Sequence, residues 1–434
     1  MRLRSTLSAV LLLGTASAAY PWPAWVKAKI ASAAYYGYGY NSVYTPLYSF
    51  NPSLVPSGEG LRPTAGLTAG NGFLLGTSNY PGGRAFALFP TGTGPYAEAI
   101  IAALGSGPVS SLTPISQTQL VGTDGSSAFM LTQSGAGVAK TVLYTFPVGL
   151  APNSALSVDA NGVLYGTGSG SSGGTKHQSG FVYALTPAGG GAYTPSVVLD
   201  FKQGLVGGSH PQGVTVGADG SLYGATAFGG TTTCTYGTTA DMGCGVVYRL
   251  TNVGGTWTEK VIYRFAGGLD GAGPGEVTLD ASGAIYGATV DGGNGQGMIY
   301  KITPAAGATV TKEAKIYTFA NTADGHTPNT KIILDQGGAI YGTAQGGAGG
   351  QGTVFIVIPT VKKKLTTYAL TVLHSFAGFN PPAASTSHKP HAKVANSDGA
   401  QPSGGLIIDS TGTLFGVTTY GGTSGQGSVY SLLP

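Results

Sequence analysis

Residues 280–288 read Asp-Ala-Ser-Gly-Ala-Ile-Tyr-Gly-Ala, a tight turn followed by the first part of an apolar β-strand. In the turn, the aspartate can hydrogen-bond its own backbone and the glycine can adopt positive φ. In the strand, a glycine directly follows an aromatic or aliphatic residue, and this pair occurs seven times. The pairs are Leu75-Gly76, Val121-Gly122, Tyr165-Gly166, Tyr223-Gly224, Tyr286-Gly287, Tyr341-Gly342 and Phe415-Gly416. The chain is therefore a tandem repeat.

A second marker, Gly-x-x-Pro, precedes each pair at a nearly constant distance. Its copies are Gly60 to Pro63, Gly105 to Pro108, Gly149 to Pro152, Gly208 to Pro211, Gly271 to Pro274, Gly325 to Pro328 and Gly399 to Pro402. Two markers at one offset define a unit whose mean length is about 57 residues. Seven such units predict a repeat architecture in which neighbouring units bury a common core.

Each unit is predicted to contain four strands. In the fifth repeat the first strand is expected over 276–280 and the second over 284–289, because apolar and polar residues alternate on either side of the turn. Residues 298–303 and 260–265 exemplify the third and fourth strands. Glycine within a strand weakens it unless close packing requires the missing Cβ, as in the inner part of a closed ring. The tyrosine before that glycine is expected to pack between neighbouring units.

The two ends of the chain predict how the ring closes. The seventh repeat ends after its third strand, Ser428 to Leu433, and lacks a fourth. Leu47-Tyr48-Ser49-Phe50, ahead of the first repeat, has the pattern of a fourth strand such as Ile316-Tyr317-Thr318-Phe319. A strand donated from the N-terminal side would remove open sheet edges, which promote aggregation. We therefore predict an all-β fold, a seven-bladed β-propeller formed by residues 45–434 as a single domain.

These residues also carry a family resemblance. The succession of "LYSF", "DGxxP", "DxxGxLYGTT" and "GxVYxLT" resembles the GloVer tandem repeat of bacterial choice-of-anchor proteins, over residues 45–434 and most strongly from Ala139 onward. The resemblance implies an exported protein of undefined biochemistry. Members of this family commonly carry a C-terminal sorting tail, whereas this sequence ends within a blade at Ser431-Leu432-Leu433-Pro434.

Composition and the first residues point to export. Only 9% of residues are charged and the net charge is +4, which is too weak to indicate a nucleic-acid partner. Arg2 and Arg4, an apolar stretch to Leu13 and Ala16-Ser17-Ala18 form the pattern of a signal peptide over residues 1–18. The sequence thus predicts a secreted, periplasmic or cell-surface protein without a transmembrane segment, expected to be a monomer.

Two further features lie outside the repeat pattern. Residues 19–44 are rich in aromatic residues, Ala and Gly, and could form a strap on the propeller, a disordered lead-in or a contact segment. Cys234 and Cys244 lie in one long loop, where a disulfide is the natural interpretation for an exported chain. Free thiols are the alternative, and a metal site is disfavoured because no histidine lies nearby.

The candidate binding residues lie in the Gly-x-x-Pro turns, which a propeller would bring to the mouth of its channel. Asp270, Asp324, Asp398 and Glu59 form an acidic rim that could bind sugar hydroxyls or a cation, although for each aspartate alone a self-capping turn is the favoured interpretation. His210, His326 and Glu276 are the candidates for acid–base catalysis. His388 and His391 are three residues apart in a long loop, and Lys362-Lys363-Lys364 is interpreted as solvated charge. The sequence predicts no metal site and no cofactor.

Three functions therefore remain open at the level of sequence. The leading hypothesis is a binding or scaffold propeller that contacts a glycan or another cell-envelope component. The alternative is a lyase or hydrolase with a histidine and a carboxylate at the channel mouth. A purely structural envelope protein is the third, with residues 19–44 as its contact surface.

Overall fold

The computed structural model describes most of the region predicted to form the ring. The described residues are 42–51, 61–70, 72–80, 82–92, 95–105, 110–135, 137–170, 179–201, 207–230, 234, 243–304, 312–320, 322–328, 330–363, 365–377 and 398–434. The predicted signal peptide, residues 19–41, Glu59, His388 and His391 lie outside them.

The described residues form seven antiparallel sheets, each running from an inner to an outer strand. Blade 1 contains β2 (Leu61–Pro63), β3 (Thr68–Ala69), β4 (Leu74–Tyr80), β5 (Arg84–Phe89) and β6 (Ala97–Ala103), and blade 2 contains β7 (Thr113–Pro114), β8 (Gln119–Thr123), β9 (Ser127–Ser134) and β10 (Gly137–Thr145). Blade 3 contains β11 (Leu150–Pro152), β12 (Ser157–Val158), β13 (Leu164–Gly170), β14 (Phe181–Gly189) and β15 (Ala192–Asp200), and blade 4 contains β16 (Ser209–Val216), β17 (Leu222–Phe228), β18 (Val246–Val253) and β19 (Thr256–Arg264).

The remaining blades repeat the pattern. Blade 5 contains β20 (Ala272–Pro274), β21 (Thr278–Leu279), β22 (Ile285–Asp291), β23 (Met298–Thr303) and β24 (Lys312–Thr318), and blade 6 contains β25 (Ile333–Leu334), β26 (Ile340–Ala344), β27 (Thr353–Lys362) and β28 (Leu365–Ser375). Blade 7 contains β29 (Gly399–Ile408), β30 (Leu414–Gly421), β31 (Ser428–Leu433) and, as its outermost strand, β1 (Val43–Ser49). A 3₁₀ turn, Gly268–Asp270, precedes blade 5.

The predicted ring closure is confirmed. The strand β1 pairs antiparallel with β31, from Val43 opposite Leu433 to Ser49 opposite Ser428. On the inner side, Ala65 of blade 1 forms a parallel bridge with Gly404 of blade 7. The first and last parts of the described chain therefore close one seven-bladed β-propeller.

The inner strand of blade 5 differs from the prediction of one continuous strand over 276–280. It is split into β20 and β21, which pair separately with β22. Gly275 and Glu276 lie between the two pieces. The same interruption occurs in blades 1 and 3, where two short inner strands pair with one neighbour.

The glycine kept in each second strand makes room for an aromatic side chain of the third strand. A Cβ at Gly287 would lie 2.3 Å from the Tyr300 hydroxyl oxygen, and one at Gly342 would lie 2.6 Å from the Phe355 ring. The other five glycines face their third strand in the same way, against Phe86, Phe129, Tyr183, Tyr248 and Tyr430. A third-strand aromatic ring therefore fills the space of the missing side chain in every blade.

The same aromatic residue joins each blade to the one before it. The phenylalanine that follows a fourth strand packs edge-on against the next blade's third-strand ring, at 5.0 Å between centroids for Phe265 and Tyr300. Five further interfaces repeat this contact at 5.0 to 5.3 Å, in the pairs Phe50–Phe86, Phe146–Tyr183, Phe201–Tyr248, Phe319–Phe355 and Phe376–Tyr430. Edge-to-face pairs of this kind add to the energy of apolar burial.

The tyrosine before the kept glycine packs between blades, as predicted. Tyr286 of blade 5 lies in one apolar cluster with Ile340 and Phe355 of blade 6. Its hydroxyl donates to Asp280 Oδ2 at 3.2 Å, and Asp280 also accepts from the backbone N–H of Ala284 at 3.0 Å. The turn aspartates thus have the structural role that the sequence indicates.

Candidate functional site

The second-to-third loops and the fourth-to-first connections lie at one end of the blades, which we call the loop-rich face. The predicted disulfide between Cys234 and Cys244 is confirmed there, and both residues are buried. Their sulfur atoms lie against Gly267, in the connection to blade 5. The disulfide thus holds the long loop of blade 4 against the next blade.

Asp270, the first of the predicted rim residues, is hydrogen-bonded within its own connection. The Tyr263 hydroxyl, at the end of blade 4, donates to Asp270 Oδ1 at 2.5 Å. The backbone N–H of Ala266 donates to Asp270 Oδ2 at 2.8 Å. The aspartate therefore ties the outer strand of one blade to the turn that begins the next.

Asp324 repeats this arrangement between blades 5 and 6. It accepts from the Tyr317 hydroxyl at 2.9 Å and from the backbone N–H groups of Ala320 and Thr322 at 2.9 and 3.0 Å. Burial acts to raise the pKa of Asp324, but these hydrogen bonds outweigh it and the pKa lies below the ordinary value. Its carboxylate is thus held in the charged form and committed to the turn.

In the third copy, Asp398, histidine replaces the tyrosine. His374 Nε2 lies 3.0 Å from Asp398 Oδ1, and the backbone N–H of Ala377 donates to Oδ2 at 2.9 Å. The Tyr44 ring of the closing strand stacks on His374 with centroids 4.0 Å apart. His374 lies in the fourth strand of blade 6, and no local pattern pairs it with Asp398, because 24 residues separate them.

The two candidate histidines lie at the entrances to inner strands. His210 has positive φ (58°), and its backbone N–H donates to Ser179 O of blade 3 at 2.8 Å. His326 forms a bridge with Gln345, and its Nδ1 lies 2.9 Å from Thr327 Oγ1. These contacts give both residues structural positions between strands.

Glu276 is paired with a residue that sequence reasoning did not single out. Lys331 Nζ, from blade 6, lies 2.5 Å from Glu276 Oε1 of blade 5. Both side chains remain partly exposed, Lys331 at 36% and Glu276 at 24%. No local motif connects two residues 55 positions apart, so only the closed ring reveals this pair.

The surroundings of this pair place it on the innermost layer of the ring. A Cβ at Gly213 of blade 4 would lie 3.2 Å from Glu276 Cγ, and one at Gly405 of blade 7 would lie 3.4 Å from the Lys331 carbonyl oxygen. The corresponding residues of blades 1, 2 and 3, placed directly before the first buried leucine of each, are Gly66, Ser111 and Ala155. One donor and one acceptor therefore lie side by side in a layer otherwise made of small residues.

Within the described ranges, no three His, Cys, Asp or Glu side chains are grouped so that they could hold a metal ion. In the same ranges, no helix is long and apolar enough to cross a membrane.

In fold, the chain is similar to the extracellular domain of a hybrid two-component system from B. thetaiotaomicron. The identity is 10% and the TM-score 0.53, over 89% of this chain and 39% of that one, so this chain spans well under half of its length. A luciferin-regenerating enzyme is 14% identical at a TM-score of 0.43, over 78% of this chain and 98% of that one. Regucalcin from Agrobacterium tumefaciens, a calcium-binding protein, is 14% identical at a TM-score of 0.40, over 70% of this chain and 84% of that one. At 10% identity, the likeness to the first of these shows a shared fold alone.

No curated protein matches the chain. Residues 232–434, from the disulfide loop to the last strand, match the Gloeobacter/Verrucomicrobia repeat. The match covers the repeats in which the sequence markers are most regular and confirms the resemblance noted above. Over residues 232–434, just under half of its length, the chain is similar to this repeat family.

Proposed function

We propose that this chain is an exported binding or scaffold propeller that takes a glycan, or another hydroxyl-rich component of the cell envelope, at the mouth of its central ring. Export is supported by the leader pattern of residues 1–18 and by the disulfide, since disulfides persist in oxidising compartments. The fold supports binding because a rigid ring presents its connecting loops together on one face.

The observation that carries the proposal is the Glu276–Lys331 pair. A sugar hydroxyl both donates and accepts hydrogen bonds, so neighbouring hydroxyls fit a carboxylate and an ammonium group held side by side. Both side chains are partly exposed, and glycines occupy the neighbouring positions at Gly213 and Gly405. A binding site with a few convergent polar groups is typical of small-molecule recognition.

The aspartates of the predicted rim have a supporting role in this proposal. Asp270, Asp324 and Asp398 each accept several internal hydrogen bonds, so replacing them would loosen the connections that frame the mouth. Alanine at these positions is expected to lower the unfolding temperature together with ligand binding. Glu59, the fourth predicted rim residue, lies outside the described residues.

The test is a glycan screen on the purified protein, followed by titration of the best ligand into variants. Glu276→Gln and Lys331→Met are each expected to weaken binding about tenfold, the loss of one charge-assisted hydrogen bond. Asp219→Asn is the matched control, because it breaks another short ion pair, Asp219–Arg249 at 2.7 Å, in a first-to-second turn at the opposite end of the blades. Equal affinity in all three variants, or no glycan binding, would contradict the proposal.

One observation favours a hydrolase or lyase as a second candidate. His374 and Asp398 form a histidine–carboxylate pair, the arrangement that orients an imidazole for proton transfer. It occupies the position where Tyr263–Asp270 and Tyr317–Asp324 serve a structural role. Activity on polysaccharide or lactone panels that His374→Tyr abolishes without unfolding the protein would support the enzyme. Activity retained by His374→Tyr would show that the His374–Asp398 pair is not catalytic.

A further inference from the structure

The hairpin of blade 6 extends further than the other third-to-fourth hairpins of the described residues. Its strands β27 and β28 contain 10 and 11 residues, whereas β18 and β19 of blade 4 contain 8 and 9. Third-to-fourth hairpins lie at the end of the blades opposite the loop-rich face. Among the described residues, this hairpin therefore has the longest paired strands at that opposite end.

The tip combines exposed apolar residues with positive charge. Val361 and Leu365 are 69% and 66% exposed, and they flank the sequence Lys362-Lys363-Lys364. Lys362 and Lys363 form no ion pair with the described residues, and residues 353–375 contain no aspartate or glutamate. Lys364 lies outside the described residues. The tip is thus a basic, apolar point without a balancing acid on its own strands.

Lys363 occupies a backbone conformation that a lysine disfavours. Its φ is 47°, in the left-handed region, and the pairing of Lys362 with Leu365 leaves a two-residue turn. The equivalent turn of blade 4 is Gly254-Gly255, with φ of 60° and 87°. Two-residue hairpin turns prefer glycine, so a lysine at this position has a conformational cost. Backbone strain of this kind is found at functional sites, which suggests a function for Lys363.

We propose that this tip docks the propeller onto a membrane surface rich in anionic phospholipids. Lys362 and Lys363 would bind lipid phosphates, and Val361 and Leu365 would enter the boundary between headgroups and acyl chains. The exposed apolar pair selects a lipid surface over a soluble polyanion, which would contact the lysines alone. Docking at this end leaves the loop-rich face directed away from the membrane.

The test measures co-sedimentation with vesicles of phosphatidylcholine, with or without phosphatidylglycerol. We expect binding only to the anionic vesicles, and about fivefold weaker binding for Lys362→Gln and for Lys363→Gln. Val361→Ser combined with Leu365→Ser is expected to weaken binding at least fivefold. Val253→Ser is the matched control, because Val253 is 70% exposed at the tip of blade 4, beside two glycines instead of lysines.

Lys363→Gly separates docking from folding. Glycine relieves the left-handed strain, so this variant is expected to unfold at a higher temperature and still bind anionic vesicles more weakly. Binding that is unaffected by Lys363→Gly, or absent from anionic vesicles, would overturn the proposal. The proposal would also be overturned if only the lysine variants lost vesicle binding and dextran sulfate competed equally well with the vesicles. That result would indicate a soluble polyanion as the partner.

Discussion

Glycine and its aromatic partner form the residue-scale unit of this fold. Each blade couples the loss of a Cβ on the second strand to a ring on the third, and in six of the seven blades that ring receives a phenylalanine from the preceding blade. The glycine is therefore explained by packing against a neighbouring strand. Its φ is positive in none of the seven copies, so backbone freedom is not the reason for it.

Replacing this glycine is expected to be severely destabilising. In Gly287→Ala the new Cβ would collide with the buried Tyr300 ring, and overpacking of a core costs about 1–3 kcal/mol or more. Gly275→Ala in the same blade is the control, because its nearest atom, the Ala288 carbonyl oxygen, lies 3.8 Å away. Urea unfolding should show a large decrease in the free energy of unfolding for Gly287→Ala and a small change for Gly275→Ala. Equal effects would contradict the packing explanation.

The tyrosine hydroxyls at this position give a second residue-scale prediction. The Tyr183, Tyr248, Tyr300 and Tyr430 hydroxyls are buried without a hydrogen-bond partner among the described residues, whereas blades 1, 2 and 6 carry phenylalanine instead. Burial of an unsatisfied hydroxyl costs free energy, so Tyr300→Phe is expected to raise the free energy of unfolding by about 1 kcal/mol. If Tyr300→Phe instead lowered the free energy of unfolding by a similar amount, the hydroxyl would have a hydrogen-bond partner, such as an internal water.

At the scale of elements, neighbouring inner strands are joined by a repeated hydrogen bond. A hydroxyl on the inner strand of one blade donates to the backbone carbonyl of the residue just before the equivalent position in the next blade. The pairs are Thr68 to Leu112, Thr113 to Leu156, Ser157 to Val214, Thr215 to Val277 and Thr278 to Ile332. Blades 6 and 7 carry Ile333 and Ile407 at this position, which cannot donate.

Removing one of these bonds should weaken a single interface. Thr215→Val leaves the Val277 carbonyl without the hydroxyl that donates to it at 2.8 Å, at an expected cost of about 1 kcal/mol. Thr258→Val is the control, since its hydroxyl bonds within an exposed hairpin at 3.2 Å and is expected to change stability little. Denaturant unfolding and hydrogen exchange of blades 4 and 5 measure the difference. If Thr258→Val destabilised the protein as much as Thr215→Val, the hydrogen bond between blades would not explain the effect.

The connection at Asp324 makes the link between blades 5 and 6 sensitive to acid. The pKa of Asp324 is lowered in the folded state, so its stabilisation is complete above the ordinary value near about 3.9 and is lost as pH falls through the lower folded value. Asp324→Asn should therefore be less stable than the parent at pH 7. The gap between the two proteins should narrow as pH falls below about 4. A constant gap in unfolding free energy from pH 7 to pH 3 would rule out this linkage.

At the scale of the whole molecule, the ring could be predicted from sequence because its markers are local. A turn aspartate, a strand glycine and a Gly-x-x-Pro segment each lie within a few residues of the contacts they specify. The displaced strand near Leu47 was also readable, because its pattern matches the other fourth strands. The split inner strand of blade 5 was missed, since alternation over 276–280 gives no sign of where pairing stops.

The site was less predictable, because its contacts join distant positions. Glu276 was a candidate by its place before an inner strand, but its partner Lys331 belongs to the next blade. The turn role of the rim aspartates was recognised, but their partners in the preceding blade were not: Tyr263 for Asp270, Tyr317 for Asp324 and His374 for Asp398. Local patterns specify blades, whereas polar contacts between blades depend on the closed ring.

The central claim is that a strand from near the start of the described chain completes the last blade of the same molecule. Thr45 and Ser431 face each other across β1 and β31, so a Thr45→Cys, Ser431→Cys variant should oxidise to an intrachain disulfide. The control is Thr45→Cys combined with Thr258→Cys. Thr258 pairs with Thr251 within blade 4, so this variant should not form a cross-link within the monomer. Peptide mass spectrometry of the oxidised monomer is the measurement: a 45–431 link is predicted. Its absence, or a link only between molecules, would contradict the closed ring.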